Sequence, residues 1–285
     1  PALPGTGWAF ILLTPGKAQI NLALLSTYRI FDFMKRSVFV SGGAKGIGRA
    51  CVELFAARGW QVAFMDVDAD AGRELAGSLA PLPVIFLRGS TCSRQDVESA
   101  IAEAAATFGG LGCVVANAGI HRSDTILDVS PEQLRQVVDT NIFGTINTMQ
   151  AALPAIIASG GGSAVIVASD QSTVAKAHSF SYGLTKGALG QMARQTAIDM
   201  APHGIRVNAV CPSTIATPLV DDVFARSGAS PDAIAAMWEE ENALFLRGSC
   251  GQPAEVASMV FFLASEEAGF CTGGLYPVDG GYTAM

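Results

Sequence analysis

The sequence predicts an α/β protein: a single doubly wound domain in which helices cover both faces of a parallel sheet. Three observations carry that prediction. Half of the 285 residues are hydrophobic and only 15% are charged, which leaves a sizeable core to bury and excludes a disordered chain. The longest apolar runs, 8–13 and 259–264 among them, are six residues each, against the roughly 18 that a membrane-spanning helix needs, so the apolar excess lies inside. Short β-branched or aromatic runs also alternate with longer segments of helical spacing, the pattern of parallel strands buried on both faces.

The elements follow in order. Residues 1–33 keep no period for long, carry Pro at 1, 4 and 15 and contain no Met; they read as an N-terminal extension outside the fold, without the features of a signal peptide. From Met34 to 285, strands are expected at 38–40, 61–65, 83–87, 113–116, 164–168 and 205–210, with helices between. No composition shift or linker divides this stretch, so 34–285 reads as one domain. The charge balance of 18 basic against 25 acidic residues, net −7, with no basic cluster longer than Lys35-Arg36, argues against nucleic acid as a partner. The six cysteines are scattered without Cys-x-x-Cys or Cys/His ligand spacing, which argues against a metal and for a reduced, cytoplasmic compartment.

After the first strand comes Ser41-Gly42-Gly43-Ala44-Lys45-Gly46-Ile47-Gly48-Arg49, opening a helical stretch over 50–57. Glycines between a strand and a helix let the backbone turn sharply and approach a pyrophosphate, whose charge then rests on the helix N-terminus. The next strand ends in Asp66, 18 residues after Gly48, placed to accept the adenosine ribose hydroxyls; this Rossmann-like arrangement favours NAD. Lys45, a cation in the glycine loop, keeps NADP open.

Further on, Tyr182 and Lys186 stand at i and i+4, on one face of a helix. An ordinary Tyr titrates near 10, and a neighbouring ammonium favours the phenolate and brings it toward the working range of a base. The strand over 164–168 leads into Ser169, 13 residues before Tyr182, at the strand end where ligands gather in such sheets.

Together these residues resemble the short-chain dehydrogenase/reductase family, in its branch marked by Tyr-x-x-x-Lys. Ser41–Gly48 matches its TGxxxGxG with Ser for Thr, Asn117-Ala118-Gly119 its NNAG with Ala116 for the first Asn, and Asn141, Ser169 and the Tyr182/Lys186 pair follow. Asn208-Ala209-Val210-Cys211-Pro212, Thr272-Gly273-Gly274 and Val278-Asp279-Gly280-Gly281 resemble later segments, so the likeness covers 36–285. The resemblance implies a catalytic tetrad. Tyr182 is the acid/base, Lys186 lowers its pKa and holds the nicotinamide ribose, Ser169 polarises the carbonyl, and Asn141 positions a water linking Lys186 to solvent. It also implies cofactor contacts at Ser41, Gly42, Lys45, Gly46, Ile47, Gly48 and Asp66, at Asn117, Ala118 and Gly119, at Tyr182 and Lys186, and at Pro212, Ile215 and Thr217. Two departures stand out: Ser90 replaces the usual Asp at the adenine, and Ser213 replaces the usual Gly after Pro212.

His121 and Gln171 occupy positions that often face the substrate in this family. Facing inward they suit a small polar alcohol or ketone, since an apolar ligand would leave each unpaired at a cost of about 1–3 kcal/mol. Residues 216–245 read as the variable segment over the substrate. Ala188, Leu189, Met192, Ala193 and Ala197 exceed what one core face needs and predict a helix pair across a twofold axis, hence a homodimer or homotetramer. The resulting expectation is an NAD-dependent oxidoreductase of small polar secondary alcohols. An NADPH-dependent 3-oxoacyl-thioester reductase is the alternative, and a dinucleotide-sensing protein without catalysis a more distant one.

Overall fold

Seven parallel strands form one sheet in the order β3-β2-β1-β4-β5-β6-β7 in the computed structural model, which describes residues 36–226 and 228–285. The strands are β1 (Ser37–Ser41), β2 (Gln61–Asp66), β3 (Val84–Arg88), β4 (Cys113–Ala116), β5 (Gly162–Val167), β6 (Ile205–Pro212) and β7 (Leu275–Val278). The reading of 1–33 as an extension concerns residues outside those described.

The central strands read as continuous apolar runs because alternate side chains enter different layers. Phe39 points into one core with Met65, Val114, Ile166 and Leu189, whereas Val38 and Val40 point into the other with Phe55, Phe64, Leu75 and Val260. Full burial of each such side chain contributes roughly 1.5–3 kcal/mol, more than the ~1 kcal/mol span of strand propensities, so packing decides these elements. The first core is closed by α3 (Arg94–Phe108), α5 (Gly144–Ala158) and α6 (Phe180–Met200), the second by α1 (Gly46–Ala57), α2 (Ala69–Ser78) and α9 (Pro253–Ala264).

Local signals set the helix ends. Asp68 caps α2 by accepting from the Ala71 amide at 3.0 Å, and Ser93 caps α3 from Asp96 at 3.2 Å. Ser130 and Pro131 start α4 (Pro131–Val138), and a π turn over Asp139–Phe143 joins it to α5. The variable segment resolves into α7 (Pro218–Arg226) and α8 (Pro231–Ala243).

Three expectations are corrected. The helix after the glycines begins at Gly46, inside the cluster. Strand β7 escaped the sequence pattern because it is only four residues long, three of them half-buried and the fourth, Pro277, exposed, a residue that only an edge strand accommodates. Leu189, Ala193 and Ala197 are not spare surface: they are buried against the sheet, because α6 lies over β6 along its length and small side chains permit that close approach.

Strand order reverses between β1 and β4. Successive connections leave on opposite sides there, and a crevice opens at the carboxyl ends of the strands. Both motif regions meet at that crevice.

Candidate active site

The cofactor end is built from the β1–α1 loop. Gly42 and Gly46 have φ of +65° and +54°, which L side chains adopt only with strain. A Cβ on Gly42 would lie 2.8 Å from Ala118 Cα, and one on Gly48 would run into the Gly42 carbonyl oxygen. Ser41 Oγ accepts from the Asn117 and Ala118 amides at 3.1 and 3.3 Å, and Asn117 Nδ2 donates to the Ser41 and Gly42 carbonyls at 3.1 and 2.8 Å. Ser41 and Gly48 therefore brace the loop from behind and are not among the residues lining the cleft, whereas Gly42, Lys45, Gly46 and Ile47 are. Across from them the wall is formed by Asn117, Ala118 and Gly119 and by Pro212, Ile215 and Thr217. The cavity volume is about 1070 Å³.

Unlike α2 and α3, α1 has no side-chain cap and no acidic residue in its first turn. Its first amides stay free at the cleft, at the positive end of the helix dipole. An uncapped helix start behind a cradle that any Cβ would fill fits the pyrophosphate of a dinucleotide. Asp66 lines the same cleft, its two carboxylate oxygens accepting from the Ala44 and Asp68 amides at 3.0 Å each. Lys45 lies 2.7 Å from Asp68, and the bonded carboxylate holds its ammonium above the ordinary value. At the substituted position, Ser90 donates its amide to Asp96 at 3.0 Å.

The catalytic end lies beyond β5. Ser169 Oγ donates to Asp170 Oδ1 at 2.8 Å and accepts from the Gln171 amide at 3.2 Å. Tyr182 and Lys186 stand in the first turns of α6, with Lys186 Nζ 5.4 Å from the Tyr182 ring centroid and donating to the Val167 carbonyl at 2.9 Å. The start of α6 is fixed by Asp124, which accepts from the Ser181 amide at 2.8 Å and the Ser181 hydroxyl at 2.5 Å. Burial pushes the Tyr182 phenol up, Asp170 adds to this and Ser169 opposes it. Burial also pushes Lys186 down to about 8. The expected lowering of Tyr182 is thus reversed in this structure, because the half-buried phenol sits against the cleft wall near Asp170, and the Lys186 ammonium is buried and bonded to a carbonyl.

Asn141 sits in the π turn, a distortion that recurs at functional sites. Its Oδ1 accepts from the Ile120 amide at 2.8 Å, and its Nδ2 donates to the Ile120 carbonyl and Thr185 Oγ1 at 3.0 Å each. It is fully buried, outside the cleft wall, and couples the 117–120 loop to the helix that carries Tyr182.

His121 and Gln171 both line the cleft beside Tyr182. The His121 ring centroid is 4.5 Å from that of Tyr182, and its Nε2 is 3.1 Å from Ser179 Oγ. Burial pushes its imidazole down to about 4, so it is neutral at physiological pH. Two lining residues were missed by sequence reasoning. Asp170 is buried beside Ser169, and Lys176 Nζ lies 2.8 Å from its Oδ2. Lys176 also donates to Ser213 Oγ at 3.0 Å and lies 4.6 Å from the Tyr282 ring centroid, so the Ser213 departure has a partner. An Asp after the Ser and a Lys six residues on form no motif that spacing alone would select.

A family model described as enoyl-(acyl carrier protein) reductase matches residues 42–283. The L-fucose dehydrogenase of Mus musculus is 37% identical over 245 residues, 86% of this chain and 87% of that protein. The chain belongs to the short-chain dehydrogenase/reductase family. A second member, the cyclohexanol dehydrogenase of Acinetobacter sp., is 31% identical and spans 88% of this chain and 96% of its own. The ligand-free aldohexose dehydrogenase of Thermoplasma acidophilum superposes with a TM-score of 0.80 at 31% identity, covering 89% of this chain and 96% of that one. As a short-chain dehydrogenase/reductase the chain is a nicotinamide-dependent oxidoreductase acting on CH–OH groups.

Proposed function

We propose that this enzyme interconverts a small, polar secondary alcohol and its ketone with NAD(H). The observation that carries the reading is the convergence of Ser169, Tyr182 and Lys186 at one end of a cleft whose other end is a glycine cradle under an uncapped helix. When bound, the nicotinamide supplies the hydride-transfer chemistry. Tyr182 exchanges the proton with the substrate oxygen, and its burial keeps it protonated, as a donor to a ketone, at neutral pH. Ser169 hydrogen-bonds the same oxygen. Lys186 holds the ribose and supports the Tyr182 proton exchange, while Asn141 fixes the loop and helix between which Lys186 sits. His121 and Gln171 contribute polar contacts to the substrate.

NAD is preferred to NADP because a 2′-phosphate would meet Asp66, and because Lys45, the cation that could receive it, is already paired with Asp68. The same pairing weakens the thioester-reductase alternative, which rested on Lys45. The relatives named for fucose, cyclohexanol and aldohexose support an alcohol or sugar substrate. We also assign a homodimer or homotetramer and a cytoplasmic location. The first is supported by large apolar side chains left exposed on α6, the second by thiols dispersed through the chain.

The test is a panel of alcohols, polyols and hydroxy acids with NAD and NADP, followed at the nicotinamide absorbance. NAD-linked turnover of a polar secondary alcohol is expected. Tyr182→Phe, which removes only a hydroxyl, should lower kcat by about 10²–10⁴-fold with the melting temperature little changed. Turnover that survives this change nearly intact would overturn the assignment of Tyr182.

A further inference from the structure

We propose that Asp170 and Lys176 form a subsite for a second substrate hydroxyl, on the carbon next to the one that reacts, making the enzyme selective for vicinal diols over simple alcohols. The proposal rests on the secondary-alcohol reading above and adds the feature by which the substrate is chosen.

Among the described residues, four buried side-chain polar atoms have no hydrogen-bond partner, and three of them, Asp170 Oδ2, Gln171 Oε1 and His121 Nδ1, belong to residues lining the substrate end of the cleft. Asp170 is only 1% exposed, and a buried carboxylate oxygen left short of donors is costly unless a ligand completes it. Lys176 lies 2.8 Å from Oδ2, an ion-pair contact that compensates the charge without the alignment of a hydrogen bond. The ammonium is itself held in place by Ser213 Oγ and the face of Tyr282. The loop carrying it is pinned where the Asp124 amide donates to the carbonyl of His178 at 3.1 Å, a residue with φ of +51°.

An acceptor beside a donor with no net charge calls for a group that both donates and accepts. A hydroxyl does so: its O–H donates to Asp170 Oδ2 and its oxygen accepts from Lys176 Nζ. A substrate carboxylate would gain from Lys176 and lose to Asp170, and a methylene would leave Asp170 Oδ2 without a donor. Position follows from Asp170 itself. Its Oδ1 accepts from Ser169 Oγ, the hydroxyl that meets the reacting oxygen, and Oδ2 is the other oxygen of the same carboxylate. We therefore assign the hydroxyl that reaches Oδ2 to the adjacent carbon, the nearest place for a second hydroxyl on the substrate.

The experiment compares kcat/KM for cyclohexane-1,2-diol, as separate cis and trans isomers, with that for cyclohexanol at saturating NAD, in the wild type and in Lys176→Met, Lys176→Arg and Asp170→Asn. The wild type should favour one diol isomer by about ten- to a hundredfold, the worth of a hydrogen bond to a charged partner. Lys176→Met and Asp170→Asn should bring the ratio near one through KM for the diol, and Lys176→Arg should restore most of it. Titration with NADH by fluorescence shows whether each variant is folded and cofactor-competent, and the ratio is read in those that are. Equal kcat/KM for diol and cyclohexanol in the wild type, or a diol preference unmoved by both charge-removing variants, overturns the subsite and leaves the secondary-alcohol reading standing. NADH binding without turnover of either alcohol overturns both.

Discussion

Around Tyr182, burial rather than charge pairing sets the protonation of single residues. His121 makes a measurable case. Its imidazole packs on the Tyr182 ring and is pushed down to about 4, with burial outweighing the opposing pull of Asp124. The unfolded chain has an ordinary histidine near 6.5 and so binds the extra proton first as pH falls. The His121 contribution to stability is therefore constant above about pH 6.5, declines between 6.5 and 4, and is fully lost below 4, by roughly 3 kcal/mol in all. His121→Gln should flatten the fall in denaturation midpoint over that window by about this amount relative to wild type. An unchanged slope would mean that the imidazole is not buried as described. At this scale the sequence was partly legible. Tyr182, Lys186 and Ser169 stand out because fixed spacing along one helix and at one strand end reflects a fixed geometry. Asp170 and Lys176 meet through the fold of a loop, and no periodicity encodes that meeting.

Among the elements, α1 differs from its neighbours in what it lacks. Helices α2 and α3 spend a side chain on their first amides, while α1 keeps its own free behind the glycines. The glycine spacing made this end legible in the sequence. The division of labour within the loop was not, because Ser41 and Gly48 act by packing against parts of the chain distant in sequence. The proposed preference for NAD rests on the β2–α2 connection, where Asp68 both caps α2 and pairs with Lys45. Asparagine caps as well as aspartate but carries no charge. Asp68→Asn should therefore leave α2 intact, release Lys45 and raise kcat/KM for NADP relative to NAD by a few-fold at most, as expected of a solvent-screened surface pair. The ratio measured at low and at high salt decides the cause. A gain that fades with added salt supports the release of Lys45, and no gain at low salt refutes it.

For the whole molecule, a sheet covered on both faces takes up the apolar excess of the described residues: alternate side chains of β1, β2, β4, β5 and β6 fill two cores. That architecture was legible because each buried strand is a short apolar run. The edge strand β7 was not, having too few buried residues to show one. The surface then carries the question of assembly. With Leu189, Ala193 and Ala197 spent on the core, the outward side of α6 still presents Leu184 at 50% exposure and Ile198 at 70%. These residues are 14 apart, close to four helical turns, and so share one face. Phe143, on the π turn that packs against α6, is 53% exposed as well. Single exposed apolar residues are ordinary on a protein surface. The proposed assembly would cover three of this size on the helix and turn that hold the site, across a twofold axis where each patch meets its own image. Sedimentation at micromolar concentration should show a dimer or tetramer, and Leu184→Glu combined with Ile198→Glu should shift it to a smaller species, since a charge buried at a self-complementary contact meets its twin. A wild type that sediments as a monomer, or a double variant of unchanged size, would leave this face without a partner.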